Sequence, residues 1–286
     1  MKWDQAHLLR QLTGKIQPQR KARVLTIASG KGGVGKTNVA VNLGIALSRC
    51  GKTTTIVDAD LGLANVDVLL GQYFDHDLEH VIKGEKSLEE IIGFGPYGLR
   101  IVPSASGVPE MANMNPIERE RLISELAKLE HSTDFLIFDT GAGISRNVLA
   151  FANLADEVVV IVTPEPTSIA DAYALVKLLV STRAAQNIAL VVNRSLSVED
   201  GRVTGERFVT LAERFLRHKV RLMGVISDDV VVSQAVRRQH PFILSHPESM
   251  PSRQIDAMAR ALSGEKVAPV AERGLLMGLR RLFGGR

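Results

Sequence analysis

Three short stretches hold the residues that can do chemistry. GKGGVGKT (30–37) fits the spacing G-x-x-x-x-G-K-[ST], with Gly30, Gly35, Lys36 and Thr37 at the fixed positions. Glycines so placed let the backbone N–H groups from Gly30 through Lys31, Gly32, Gly33, Val34 and Gly35 turn toward phosphate oxygens. Lys36, Thr37 and Asn38 open the helix that follows, whose N-terminus adds its positive dipole end. Lys36 can reach β- and γ-phosphates, and the Thr37 hydroxyl can take a Mg²⁺ position. TTTIVDAD (53–60) carries Asp58 and Asp60, and FLIFDTGAG (135–143) carries Asp139. Asp139, closing an apolar run, has the place of a Walker B carboxylate that holds Mg²⁺ through water. Asp60 suits the residue that orients or deprotonates an attacking water, and Asp58 an outer partner of the metal.

These residues need elements that bring them together. Apolar runs at 24–29, 53–58, 99–104, 134–139, 157–163, 188–193 and 221–226 read as strands. Most are unbroken Val/Ile/Leu runs, as expected for strands buried on both faces. Helical patterns lie near 37–50, 116–130, 145–154, 167–184, 203–218, 229–239 and 248–262. The alternation predicts an α/β fold, a mostly parallel twisted sheet with helices on both faces. In such sheets ligands sit beyond the carboxyl ends of the strands, so the loop and all three carboxylates converge there.

Composition sets outer limits. The chain has 286 residues, 45% hydrophobic and 23% charged, ordinary for a soluble globule. One cysteine, Cys50, excludes a disulfide framework, fits a reducing cytosol and reads as a buried helix residue. No apolar run is long enough to span a bilayer, and Asp4, Gln5 and His7 interrupt any signal-peptide core. The expected location is the cytoplasm, or the inner face of the cell membrane. The net charge is +4 and sits at the ends. Residues 10–23 hold Arg10, Lys15, Arg20, Lys21 and Arg23 with no acid. From Arg253 onward seven Arg/Lys stand against three acids. Basic ends favour an anionic surface, membrane or nucleic acid.

A second lysine, Lys31, stands inside the phosphate loop. With it, KGGVGKT resembles the deviant Walker A loop of the MinD/ParA family of P-loop ATPases. DADLGLANVDVLLG, TPEPTSIADAY, VVNR and GVISDDVVVSQAVRRQHPF extend the resemblance across 24–262. It implies ATP/ADP and Mg²⁺ as cofactors and slow hydrolysis, with Lys31, Lys36 and Asp60 catalytic. It also implies an ATP-dependent homodimer in which Lys31 reaches the partner's nucleotide phosphates. By the same resemblance Asn193 recognises adenine, Ser227 and Asp228 wall the base, and Glu165 approaches the partner's nucleotide.

The fold serves division-site placement, DNA partition and flagellar placement alike, so the ends must discriminate. Residues 1–13 read as a short helix, 14–23 as a linker, 24–262 as the ATPase domain, 263–272 as a second linker and 273–286 as a final helix. In that last helix Leu275, Leu276, Leu279, Leu282 and Phe283 fall within an arc of about 120°, with Arg280 and Arg281 outside it. A basic amphipathic helix of this kind suits anionic membrane lipids rather than direct DNA binding, or docks on its own domain. DQAHLLR (4–10) resembles the DQAxxLR motif of the FlhG family, MinD-like ATPases that control flagellar number and placement. Asp4, Gln5, Ala6, Leu9 and Arg10 match it. The resemblance implies that this segment binds the GTPase FlhF and stimulates GTP hydrolysis, and that flagellar switch-ring proteins are further partners. On a helix Gln5 falls within the Leu8, Leu9 and Leu12 stripe, so docking by those leucines carries its amide into the contact. Packing of this helix on its own domain is the other reading. Two alternatives stay open for the whole chain: a partition or division-site ATPase, and a nucleotide-locked assembly adapter with little turnover.

Overall fold

Side-chain alternation along the strands decides how the layers assemble. In the computed structural model, which describes residues 22–60, 64–104 and 115–264, Ile27, Ile56, Ile137, Ile161 and Val191 belong to one apolar cluster. Their strand neighbours Ala28, Val57, Phe138, Val160 and Val192 belong to clusters on the opposite face. Strands greasy on both faces need helices on both. Among the described residues a sheet of eight strands has the order β3-β4-β2-β5-β1-β6-β7-β8. These are β1 (Arg23–Ser29), β2 (Thr54–Ala59), β3 (Gly93–Phe94), β4 (Arg100–Val102), β5 (Phe135–Ala142), β6 (Glu157–Val162), β7 (Ile188–Ser195) and β8 (Val220–Ser227). All pairings are parallel except the short edge pair β3–β4.

The helices are α1 (Lys36–Arg49), α2 (Val66–Leu70), α3 (Leu78–Lys83), α4 (Leu88–Ile91), α5 (Pro116–Ser132), α6 (Arg146–Leu154), α7 (Pro166–Ser181), α8 (Val198–Leu216), α9 (Val230–Arg237), α10 (Phe242–Ser245) and α11 (Met250–Leu262). Helix α1 and the last three pack on the Ile27 face, and α3 to α8 supply the other face. From β1 the chain crosses one way to β2, then from β5 the other way to β6, β7 and β8. The carboxyl ends of the strands at this reversal form the crevice where α/β folds bind ligands.

The expected strands and helices are present with shifted ends. The fourth strand is confined to Arg100–Val102, and α8 begins at Val198 rather than 203. Ser197 caps α8 by accepting from Asp200 N, and this Ser-to-Asp start precedes the apolar periodicity that set the later boundary. Cys50 is half-buried rather than buried, because it sits just past the last turn of α1. The strand β3 and the helices α2, α3, α4 and α10 are too short for periodicity to expose. Two of them carry reciprocal capping boxes instead, Asp77 with His80 and Ser87 with Glu90. At the N-terminal edge, Ala22 is buried and its N–H donates to Glu130 O at 2.9 Å. No helix among the described residues is long and apolar enough to cross a membrane.

One side chain ties α1 to the C-terminal helices. Asn42 is 1% exposed; its Oδ1 accepts from Ile243 N at 3.0 Å and its Nδ2 donates to Asn38 O at 2.8 Å. Asn42→Leu leaves the buried Ile243 N–H unpaired, at a cost of about 1–3 kcal/mol. Urea unfolding should show a lower midpoint with an unchanged m value; an unchanged midpoint contradicts this role.

Candidate functional site

The phosphate loop is shaped by two close approaches. A Cβ on Gly30 would lie 2.2 Å from the Asp171 backbone, so only glycine lets the loop lie against α7. Gly35 has φ 93°, a left-handed value, and a Cβ there would meet Asn193 Nδ2 at 2.5 Å. Gly35 is the N-cap of α1, so no side chain caps the first turn, and no acid stands in it. The first-turn N–H groups are therefore left for an anion. Ser29 Oγ donates to Lys31 O at 2.7 Å and fixes the loop entry.

Below the loop lie the carboxylates. Asp58 and Asp139 are directly paired in register between β2 and β5. They share strand parity with Ile56 and Ile137, so both aim at the face covered by α1. Each is 1% exposed. Burial pushes Asp139 up to about 8, and the charge of Asp58 adds to this; the Thr37 hydrogen bond and Lys36 oppose it. Burial raises Asp58 to about 6, against N–H bonds from Asn65, Val66 and Asp60. Those bonds run 2.9, 3.1 and 3.1 Å, so Asp58 uses both oxygens to hold the loop after β2. Lys36 is buried, which lowers its pKa against the pull of Asp139 and Asp60. Asp60 stands beside Gly141, where a Cβ would lie 3.2 Å from Asp60 Oδ1.

Asp139 Oδ1 is buried without a hydrogen-bond partner. A divalent cation answers such an orphan, and Thr37 already bonds the same carboxylate. Among the described residues no group of three or more His, Cys, Asp or Glu could hold a metal. One hydroxyl and one carboxylate suit Mg²⁺, which keeps waters and phosphate oxygens as its other ligands.

A cavity of about 720 Å³ opens over these groups, within the range of nucleotide-sized sites. Gly32, Gly33, Gly35, Lys36, Thr37, Asn38 and Asp60 line it, all anticipated from sequence. Asn65, Val68, Ser145, Asn147 and Val236 also line it and were not anticipated. Ser145 and Asn147 open α6 just after the glycines of DTGAG, and that helix start was the available signal. Asp58 and Asp139 lie beneath the floor.

The other anticipated residues do not line this cavity. Lys31 Nζ pairs with Glu165 Oε2 at 3.1 Å and lies 3.1 Å from Thr167 Oγ1, both of its own chain. Asn193 ends buried at the tip of β7, its Nδ2 donating to Val34 O at 2.7 Å. It thus braces the back of the phosphate loop, a role its sequence position did not suggest. Ser227 exchanges hydrogen bonds with Gln254 of α11, at 2.9 and 3.1 Å, and Asp228 pairs with Arg194 at 3.6 Å. The segment with Asp4, Gln5, Ala6, Leu9 and Arg10 and the tail with Leu275, Leu276, Leu279, Arg280, Arg281, Leu282 and Phe283 lie outside the described residues.

A parallel sheet whose first strand feeds a glycine loop, an uncapped helix and a buried lysine drawn to the carboxylates Asp139 and Asp60 defines a P-loop NTPase. Comparison with known proteins narrows the class. The ParA family model, described as "NUBPL iron-transfer P-loop NTPase", matches residues 20–263. The antiactivator FleN of Pseudomonas aeruginosa is 40% identical over 247 residues, covering 86% of this chain and 87% of FleN. The flagellum site-determining protein YlxH of Helicobacter pylori is 34% identical, covering 84% and 81%. In the MinC:MinD cell division complex of Aquifex aeolicus, a solved chain superposes with TM-score 0.71 at 28% identity, covering 88% of this chain and all of that one. The chain belongs to the MinD/ParA family of P-loop ATPases, in the group of FleN and YlxH, the FlhG group.

The buried carboxylates carry a sign. Both are held above their unfolded values, so between about pH 4 and 8 these two groups bind more protons in the metal-free folded chain than in the unfolded one. Their contribution to stability therefore falls as pH rises through that window. In chelator, the Tm should drop from pH 6 to pH 8.5 by on the order of 5 °C. Asp139→Asn should flatten the slope. A wild-type Tm flat across this range contradicts the burial assigned to Asp139.

Proposed function

We propose that this chain hydrolyses ATP as a location switch that controls flagellar number and placement. The observation that carries the reading is the pairing of an uncapped phosphate loop with two lysines, one buried against Asp139 and one at the surface. The names of FleN and YlxH support the flagellar context.

In this reading the N–H groups of residues 30–38 hold the phosphates, and Lys36 neutralises charge on the β- and γ-oxygens. Asn193, Ser227 and Asp228 stand on the base side, and the Asn193–Val34 bond couples that side to the phosphate loop. Thr37, and Asp139 through water, would hold Mg²⁺ with Asp58 beneath them, and the ion would supply positive charge to the phosphoryl group in transfer. Asp60 orients a water in line with the γ-phosphorus and draws on its proton as the new P–O bond forms. The β–γ bridge breaks, leaving ADP and phosphate.

Lys31 connects chemistry to assembly. Its pair with Glu165 is solvent-exposed, and such pairs contribute only about 0–1 kcal/mol. A second copy's γ-phosphate therefore competes easily for this lysine, and ATP closes a homodimer with Glu165 at the interface. The dimer presents two basic amphipathic tails, and effective concentration turns two weak membrane contacts into a firm one. Hydrolysis opens the dimer and the tails release from the inner face of the membrane. The N-terminal segment delivers Gln5 to the GTPase FlhF, and switch-ring proteins of the flagellum are further partners.

Size-exclusion and liposome sedimentation test the switch. With ATP and Mg²⁺, Asp60→Ala should hold a dimer and lose turnover by ~100-fold or more. Lys31→Ala should stay monomeric, and Leu279→Glu should dimerise without sedimenting. An Asp60→Ala chain that remains monomeric with ATP refutes the dimer, and retention on DNA without liposome binding turns the reading to partition.

For the N-terminal segment, a peptide of residues 1–20 should accelerate GTP hydrolysis by FlhF, and Gln5→Ala should remove the effect. A peptide without effect refutes the activator assignment.

A further inference from the structure

On the face away from α1, helices α5 and α6 leave a groove between them. It has a volume of about 130 Å³ and is walled by Val24, Leu126, Ala127, Leu136 and Phe138, with Glu130 at its rim. Ile123 and Leu154 flank it, and both are large apolar side chains that remain 46% and 48% exposed. A space of this size takes one or two aliphatic side chains, and apolar cavities of similar size accept hydrocarbon rather than water. Nothing in the nucleotide chemistry uses it.

The path of the chain says what can reach it. Ala22 belongs to the same apolar cluster as the groove walls, and its N–H donates to Glu130 O. The segment before Ala22 therefore joins the domain at the mouth of the groove. The other end of the domain reaches the same edge of the sheet, where Arg23 Nη1 donates to Leu262 O at 3.3 Å, but it leaves on the far face. Leu262, closing α11, packs in the cluster on the opposite face of the sheet. Ten steps separate Leu12 from Ala22 and span at most roughly 33–36 Å, ample for a return to the groove. The linker contributes Gly14 and Pro18 for the reversal.

We propose that the leucine stripe Leu8, Leu9 and Leu12 docks in the α5–α6 groove of its own chain. The same leucines are the grip on the partner GTPase in the function proposed above, so docking withholds Gln5 from that partner. The docking needs no part of that reading; only its consequence for the GTPase does.

Disulfide trapping in the full chain tests the contact. In a Cys50→Ser background, Leu9→Cys with Leu154→Cys should form an intramolecular bond under mild oxidation without nucleotide. Leu9→Cys with Phe215→Cys, on the exposed side of α8, should not. No bond, an equal yield at Phe215, or a bond between two chains overturns the proposal. So does trapping of Leu279→Cys at Leu154→Cys in place of Leu9→Cys, which would give the groove to the C-terminal tail. Hydrogen exchange supplies a second reading that needs no cysteine. Leu9→Glu with Leu12→Glu should speed amide exchange in α5 and α6, and truncation after Gly264 should not; the reverse pattern overturns the proposal. If docking holds, Leu154→Glu should raise stimulation of the GTPase by the full chain to that of the free peptide. Failure of that arm alone, with trapping intact, counts against the GTPase reading and leaves the docking standing.

Discussion

Two carboxylates forced side by side in a dry layer are the constraint on which this structure turns. Asp58 and Asp139 sit opposite each other on adjacent strands, both nearly inaccessible to water. A buried negative charge is costly unless paired, and two are worse than one. The chain relieves Asp58 with three backbone N–H bonds and relieves Asp139 only in part, through Thr37 and Lys36. The remaining deficit is one of positive charge, at the place where a Mg²⁺–nucleotide would supply it.

The same residues tie the parts of the site together. Asp58 holds the loop that bears Asp60, so Asp60 cannot drift from the paired carboxylates. Asn193 holds Val34, which joins the tip of β7 to the phosphate loop. Lys31 holds Glu165, which joins that loop to the start of α7. The first of these contacts is partly buried and the second fully so. The third is exposed, and weak for that reason. A site built with one weak brace at its surface can give up that brace when a ligand or a second copy offers more charge.

Much of the site could be read in the residues. The glycine spacing, both lysines, Thr37 and the aspartates at strand ends are local in the chain, and their chemistry follows from type and spacing. The walls of the cavity were less legible. Val68, the pair Ser145 and Asn147, and Val236 come from three separate helices, and no short-range pattern announces that they meet. Asn193 shows the limit most clearly. The family resemblance implies a role at the adenine, and the fold adds what no local pattern announces: its amide donates to Val34 O, a contact across 159 residues.

By itself, then, the sequence determined the class of fold and the phosphate chemistry, because alternating apolar runs and a glycine loop are encoded over a few residues. It also marked Lys31 and both basic ends as the features that separate this chain from an ordinary P-loop protein. Only the tertiary structure decided that Asp58 faces Asp139, that Lys31 rests on Glu165, and that an apolar groove opens where the N-terminal segment joins the domain. Those facts depend on strand order and register. These are set by packing of the whole sheet, where a shift of one residue would send Asp58 and Asp139 to the other face.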